Sequence, residues 1–314
     1  IGASTLAAMA IGFLYGREKR VWCRYLCPVN GVFELLAKLA PLHFRVDRAA
    51  WGRWSGKPEP VNCAPLVPIR MMRGASACHM CGRCAGFKDA VALAPRSPSQ
   101  EIVEVVGDTP KPWETALILF GMLGLAAGAF QWASSPLYVA VKQRIAEWLV
   151  ERGALWPIEP IAPWWILTNY PGNNDMMTPL DGALMIAYVI AVALLTGIAV
   201  GLCLALATRA LGCFDARRFH HLAQALIPLA GCGVFLGLSA ITVTLLRIEG
   251  FELQWVGVAR AALLVAASLW SLYLMRRIAA RYTASAIRRE GAAAFGVLAI
   301  AAGLANWVIL FWVW

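Results

Sequence analysis

The sequence predicts an all-α integral membrane protein of about six transmembrane helices that carries a small, loop-rich extramembrane module. Three observations predict this class. Of the 314 residues, 60% are hydrophobic and only 15% are charged, which is too apolar for an ordinary soluble domain. Several apolar runs reach the roughly 20 residues that a helix needs to cross a bilayer core. A stretch of mixed polarity at residues 21–112 interrupts these runs and contains six of the nine cysteines.

The apolar runs divide the chain into three parts. Residues 1–20 comprise the end of a membrane helix, at 1–15, and a basic turn, and residues 21–112 form the extramembrane module. Residues 113–314 form a membrane domain of about five helices. Within these parts we expect crossings at 113–133, 182–207, 222–246, 255–275 and 291–314, and amphipathic segments at 30–39 and 137–150. The chain begins without an initiator methionine, partway through an apolar run, so we expect it to be an N-terminally truncated fragment.

Basic residues predict the orientation of these helices. The net charge is +10, and Lys and Arg concentrate at 16–20, at Arg209, Arg217 and Arg218, and in a loop at 276–289 with five arginines. Because positive residues favour the cytoplasmic side of a membrane, we expect the module on the cytoplasmic side of a bacterial inner membrane. No predicted helix combines a basic face with interleaved aromatic residues, so nucleic acid is not an expected partner. An outer aromatic belt is expected at Trp156, Trp164, Trp165 and Tyr170.

Three cysteines in the module, Cys78, Cys81 and Cys84, follow a C-x2-C-x2-C pattern. This spacing is typical of ferredoxin loops that offer three thiolates to one [4Fe–4S] cluster, and Gly82 gives the backbone the freedom for a tight wrap. Zinc sites more often use separated C-x2-C pairs, so the pattern favours iron–sulfur over structural zinc or free thiols.

The sequence leaves several candidates for the fourth ligand of this cluster. Lys88 stands where a ferredoxin run would place its next cysteine. Cys63 is the favoured candidate because it is close in sequence and near a proline, and Cys27, which directly precedes a proline, is the second. The remaining alternatives are His79 or Asp89, or a site with three cysteines.

A second cysteine motif lies directly after the basic turn. Cys23 and Cys27, followed by Pro28, form a C-x3-C-P motif, and positions i and i+4 share one face of a helix. We therefore expect a redox-active or bridging pair at the membrane surface, the alternative being two ordinary interfacial cysteines.

The segment 20–29, Arg-Val-Trp-Cys-Arg-Tyr-Leu-Cys-Pro-Val, followed by a second cysteine cluster, resembles the membrane-bound polyferredoxin family. That family includes the membrane quinol-oxidising subunit of periplasmic nitrate reductase and the membrane protein for nitrous oxide reductase maturation. The resemblance covers residues 16–103 and implies cytoplasmic [4Fe–4S] clusters that pass electrons. Family members usually carry two C-x3-C-P motifs and two complete cluster runs, whereas this chain shows one motif and one incomplete run.

Three other features could take part in redox chemistry. The pair His220 and His221 begins a membrane helix, where an interfacial role is favoured over a quinone contact. The pair Met176 and Met177 is expected to pack in a loop, with copper ligation as the alternative. Arg260 is expected to extend to the outer interface.

The sequence as a whole predicts an electron-transfer component rather than a stand-alone enzyme. It would pass electrons between the quinone pool or a cytoplasmic donor and a membrane or periplasmic redox partner, using one [4Fe–4S] cluster, with a second cluster left open. The cluster ligands would be Cys78, Cys81, Cys84 and Cys63 or Cys27. One alternative is an assembly or maturation factor for a respiratory metalloenzyme, and another is a non-redox membrane scaffold with structural zinc.

Overall fold

The computed structural model describes residues 2–15, 19, 21–27, 29–57, 60–76, 78–161, 163, 166–170, 172 and 175–314, apart from the side chains of residues 2–4, 23 and 24. The structure is mostly helical, with 69% of residues in helices. Within the described residues, five helices are long and apolar enough to cross a membrane: Pro112–Ser134, Pro179–Ala210, Ala216–Ile248, Val256–Tyr282 and Ala286–Val313. They confirm the five long apolar helices predicted after residue 112.

The first apolar segment forms a helix at Gly2–Tyr15. Its apolar part, Thr5–Tyr15, is shorter than a bilayer crossing, so the sixth span stays a prediction. The basic turn at 16–20, apart from Lys19, lies outside the described residues, as do Pro28 and the predicted belt residues Trp164 and Trp165.

Residues 118–207, 229–270 and 294–314 form one compact unit. Its helices approach each other at small residues, because a Cβ atom added at Gly124 would lie 2.7 Å from the Cα atom of Ala193. One turn later, a Cβ atom at Gly128 would lie 3.1 Å from the Cα atom of Val189. Close approach at small residues is a common way of joining helices in a membrane, where the hydrophobic effect does not drive helices together.

Polar side chains and short connections complete this unit. Thr196 Oγ1 accepts a hydrogen bond of 2.7 Å from Asn306 Nδ2, and Gln131 Nε2 donates to the Asn306 carbonyl at 2.6 Å. The predicted amphipathic segment at 137–150 is a helix, Pro136–Glu151, which Ser135 begins by accepting a hydrogen bond from the Tyr138 amide. A short antiparallel pair, Asn169–Tyr170 with Asp175–Met176, lies between this helix and the next.

Residues 1–117, 208–228 and 271–293 form the second compact unit, which contains the cysteine-rich module. The sequence predicted no strands here, but Leu42–Val46 (β1) pairs antiparallel with Val91–Pro95 (β2). The pairing joins residues about 50 positions apart, so neither strand has a local partner that the sequence could have shown. The sheet brings the two ends of the cysteine-bearing segment together.

Short helices and turns complete the second unit. They are Trp22–Leu26, Asn30–Ala37, Arg48–Arg53, Ile69–Met71, Phe87–Asp89, Glu101–Val105 and Val106–Asp108. Asp47 begins helix Arg48–Arg53 by accepting hydrogen bonds from the amides of Ala49 and Ala50. The predicted arginine-rich loop at 276–289 is largely helical, because one helix continues to Tyr282 and the next begins at Ala286.

Candidate metal centre

Four cysteines line one small cavity in the module: Cys63, Cys78, Cys81 and Cys84. The rest of its wall is mainly apolar and includes Phe44, Val67 and Met72. The structure thus brings Cys63 to the predicted triad, although 15 residues separate it from Cys78 in the sequence. Neither Cys27 nor the alternative ligands His79 and Asp89 are among the described residues that line this cavity.

The backbone around these cysteines turns sharply. Met80, between the first two cysteines of the triad, has a φ of 52°, and Gly82, between the last two, has a φ of 77°. Leu66, three residues after Cys63, has a φ of 58°. Left-handed conformations are costly for residues other than glycine and concentrate at functional sites, where the surroundings over-determine them. Here they reverse the chain between successive thiols, so that a short loop can surround one centre.

Backbone amides point at two of the sulfur atoms. The Val67 amide donates to Cys63 Sγ at 3.3 Å, and the Met80 amide donates to Cys78 Sγ at 3.4 Å. Burial raises the pKa of the Cys78 and Cys84 thiols above the usual value, and the neighbouring cysteines raise it further. These sulfurs are therefore in an environment where a thiolate needs a bound cation to compensate its charge.

A zinc ion and a [4Fe–4S] cluster would require different spacings of these thiols. Within the described part of the chain, no group of three or more His, Cys, Asp and Glu side chains is arranged to hold one metal ion. A tetrahedral zinc ion with Zn–S bonds of about 2.3 Å would bring its thiolates to within about 3.8 Å of one another. In a [4Fe–4S] cluster each cysteine binds a different iron atom, so its thiolates surround the group at wider spacing. The cavity is lined by four cysteines, which is the number of thiolates that a [4Fe–4S] cluster normally takes.

Glu101 holds the backbone that leads into the triad. Its carboxylate accepts hydrogen bonds from the Ala75 amide at 2.7 Å and from the Ser76 amide at 3.3 Å. It also forms an ion pair of 2.5 Å with Arg96, and both side chains are only 2% exposed. A Cβ atom at Gly74 would lie 2.2 Å from this carboxyl group, so a larger residue at position 74 would displace the carboxylate.

Arg96 extends this support to the neighbouring helix. Its guanidinium donates to the carbonyls of Ala37, the last residue of helix Asn30–Ala37, and of Lys38 and Ala40, which follow it. Those carbonyls have no partner within the helix. One buried ion pair therefore connects the cysteine loop to the end of a helix.

A second buried polar cluster lies in the same unit. Lys38 Nζ donates to Glu114 Oε2 at 2.5 Å and to Gln224 Oε1 at 2.8 Å, and Gln224 Nε2 donates to Glu114 at 3.1 Å. Each of the three side chains is at most 3% exposed. Burial lowers the pKa of Lys38 from its usual value, and Glu114 opposes that change by favouring the charged amine. The sequence did not indicate this buried polar cluster, because its three members are far apart in the chain.

Cys27 of the predicted C-x3-C-P motif is not among the described residues that line the four-cysteine cavity. Cys27 is half-buried, and its amide donates to the Trp22 carbonyl at 2.9 Å at the end of helical turn Trp22–Leu26. The side chain of Cys23 lies outside the described residues. The role predicted for this pair stays a prediction.

One member of the histidine pair does not have the interfacial role that was predicted. His221 is fully buried and hydrogen-bonds the Tyr282 hydroxyl at 2.7 Å and the Ile102 carbonyl at 2.8 Å. His220 contacts Thr115 Oγ1 at 2.9 Å. The prediction of a solvent or headgroup contact is therefore wrong for His221, because Tyr282 and Ile102, both distant in sequence, enclose it.

The roles predicted for the methionine pair and for Arg260 stay predictions. Met176 pairs with Asn169 in the short sheet and is 48% exposed. The guanidinium of Arg260 lies 4.3 Å from the ring centre of Phe311.

A protein-family model described as a 4Fe-4S binding domain matches residues 2–47. This span contains Cys23 and Cys27 and ends before Cys63. No curated protein and no solved structure gives a significant match to the chain. The chain thus combines an N-terminal 4Fe–4S binding domain with five helices that are able to cross a membrane.

Proposed function

We propose that this protein is an electron-transfer component of a bacterial inner membrane, with its iron–sulfur module on the cytoplasmic side. Cys63, Cys78, Cys81 and Cys84 would hold one [4Fe–4S] cluster. The protein would pass electrons between the quinone pool or a cytoplasmic donor and a membrane or periplasmic redox partner. The convergence of four cysteines on one cavity carries the proposal, and the family match at residues 2–47 and the resemblance to membrane-bound polyferredoxins support it.

When bound, a [4Fe–4S] cluster takes up and releases a single electron. The protein residues would position the cluster and adjust its potential. The amides of Val67 and Met80 would stabilise negative charge on the sulfurs of Cys63 and Cys78. Arg83, which lines the cavity, would stabilise the more negative reduced state.

Two other basic residues near the cysteines have different partners. Lys88 Nζ lies 4.8 Å from the ring centre of Trp51, and Arg73 pairs with Asp108 at 3.1 Å. Because Arg83 lines the cavity and Lys88 and Arg73 do not, a direct effect on the cluster is assigned to Arg83.

The C-x3-C-P motif has its own proposed role. Cys23 and Cys27 lie inside the matched 4Fe-4S domain but are only two of the four thiols that a cluster normally takes. We assign them as a redox-active or bridging pair, which leaves open a second cluster completed by ligands from elsewhere.

The decisive experiment is anaerobic purification of the full chain, with iron, sulfide and zinc quantified and low-temperature EPR recorded after dithionite reduction. About four irons and four sulfides per chain are expected, with the signal of a reduced cluster. The Cys81→Ser and Cys63→Ser variants should lose this signal. Cys213→Ser is the matched control, because Cys213 is an exposed free thiol that does not line the cavity. Stoichiometric zinc without iron would refute the electron-transfer function.

A further inference from the structure

A basic cleft lies next to the four-cysteine cavity. It has a volume of about 450 Å³. We call it the arginine cleft. Its polar wall consists of His43, Arg45, Arg48, Arg73 and Gln100. His43 and Arg45 belong to β1, and Arg48 begins the helix that follows it.

The positive charge of the arginine cleft is only partly neutralised. Arg45 and Arg48 are exposed, and neither is within ion-pair distance of a carboxylate in the described residues. Arg73 pairs with Asp108, but that carboxylate is shared with Arg217, whose guanidinium lies 3.9 Å from it. The surrounding segment 42–96 contains nine Lys and Arg residues against three Asp and Glu residues. The cleft therefore presents an excess of positive charge to solvent.

The cleft and the cysteine cavity share two wall residues. Phe44 and Met72 line both of them. Phe44 is 6% exposed and lies on β1 between His43 and Arg45, whose side chains point to the other face of the strand. A molecule seated in the arginine cleft would thus be separated from the thiols by the thickness of single side chains.

We propose that the arginine cleft docks the acidic face of a soluble one-electron carrier protein. This inference rests on the proposed function and names the partner on the cytoplasmic side. The carrier would lose one electron and the cluster would gain it, with no bond formed or broken and no proton needed. An acidic protein face fits better than a small anion, because Arg45 and Arg48 are exposed at the surface rather than converging on an enclosed point. Complementary charge of this kind mainly accelerates and orients encounters.

Binding of an acidic [2Fe–2S] ferredoxin to the full chain in neutral detergent micelles tests the proposal. The Arg45→Glu/Arg48→Glu variant should weaken binding on the order of tenfold, because it replaces attraction by repulsion. Arg53→Glu is the matched control, because Arg53 is exposed on the same helix as Arg48 but does not line the cleft. The affinity of this variant for the ferredoxin should stay within about twofold of the wild-type affinity. Binding of the wild type should fall steeply as salt rises, because exposed charges are screened.

Several outcomes would overturn the proposal. One is equal affinity for the ferredoxin in the double variant and in Arg53→Glu. Another is that Arg45→Glu/Arg48→Glu weakens the binding of inorganic phosphate, or of neutral lipid vesicles with anionic lipid added, but not the binding of the ferredoxin. A basic cytochrome c that binds as tightly as the ferredoxin would also contradict it.

The same measurements separate this inference from the proposed function. Docking depends on surface charge, so Cys81→Ser should retain ferredoxin affinity while its cluster signal is lost. Dithionite, which needs no docking site, should reduce the cluster equally in the wild type and in Arg45→Glu/Arg48→Glu. A chain that lacks the iron–sulfur signal but binds the ferredoxin would refute the proposed function alone. A chain with the signal but without charge-dependent binding would refute the docking site alone.

Discussion

Replacing Glu101 by Gln should loosen the cysteine loop without removing any cluster ligand. The substitution keeps the size of the side chain but removes the charge that pairs with Arg96, where both side chains are 2% exposed. Removing one partner of a buried ion pair typically lowers the folding stability by about 3–5 kcal/mol, since the remaining charge stays buried without compensation. Arg96 would retain its bonds to three carbonyls, and the introduced amide would keep one oxygen for the Ala75 amide. We therefore expect Glu101→Gln to destabilise the cysteine loop by about 3 kcal/mol, the lower end of this range.

This cost should appear as faster loss of the cluster. If a chelator reaches the cluster when the turn at 74–76 opens locally, about 3 kcal/mol corresponds to opening that is roughly 100-fold more frequent. The rate is measured as the decay of cluster absorbance in excess chelator. Glu104→Gln is the control, because Glu104 lies in the same turn as Glu101, is exposed and accepts a hydrogen bond from Gln100. Equal decay rates in the two variants would refute the assignment of Glu101 as the support of this loop.

Three further substitutions probe other parts of the structure. Gly82→Ala should cost about 1–2 kcal/mol and lower the iron content per chain, because a side chain at a φ of 77° is strained. Lys38→Met should lower the thermal unfolding temperature by the equivalent of about 3 kcal/mol, because the buried Glu114 then keeps only the exposed Lys111, 3.7 Å away, as a cation. Thr196→Val should cost only about 0.6 kcal/mol in the same unfolding assay, as the loss of one hydrogen bond between membrane helices does.

Each of these has a result that contradicts it. For the glycine, Gly52→Ala is the control, since neither glycine has an atom within 4 Å of an added Cβ and only Gly82 has a positive φ. Equal iron content in both variants would show that the left-handed turn is dispensable. For Lys38, the double variant with Glu114→Gln should recover most of the lost stability, and no recovery would contradict the ion-pair explanation. For Thr196, a loss above about 2 kcal/mol would point to packing instead of the hydrogen bond.

The sequence could predict the features that depend on local pattern. The five long helices follow from runs of apolar residues, and a triple cysteine run predicts a cluster loop regardless of the rest of the chain. The pairing of β1 with β2 could not be predicted, because five-residue strands acquire their stability from a distant partner. The burial of His221 was also hidden, since its partners Ile102 and Tyr282 are 119 and 61 residues away.

The turn Glu101–Val105 and its continuation Val106–Asp108 depend on residues that are synthesised much later in the chain. Its carbonyls accept hydrogen bonds from residues that follow much later: Arg217 Nε donates to Gly107 at 2.6 Å, His221 contacts Ile102, and Arg281 donates to Val103. These partners leave the ribosome more than 100 residues after the turn, and they belong to two of the helices that are long and apolar enough to cross a membrane. The support under the cysteine loop is therefore completed only after membrane insertion, so iron should enter the chain late in biogenesis, and a truncated soluble module should retain it poorly.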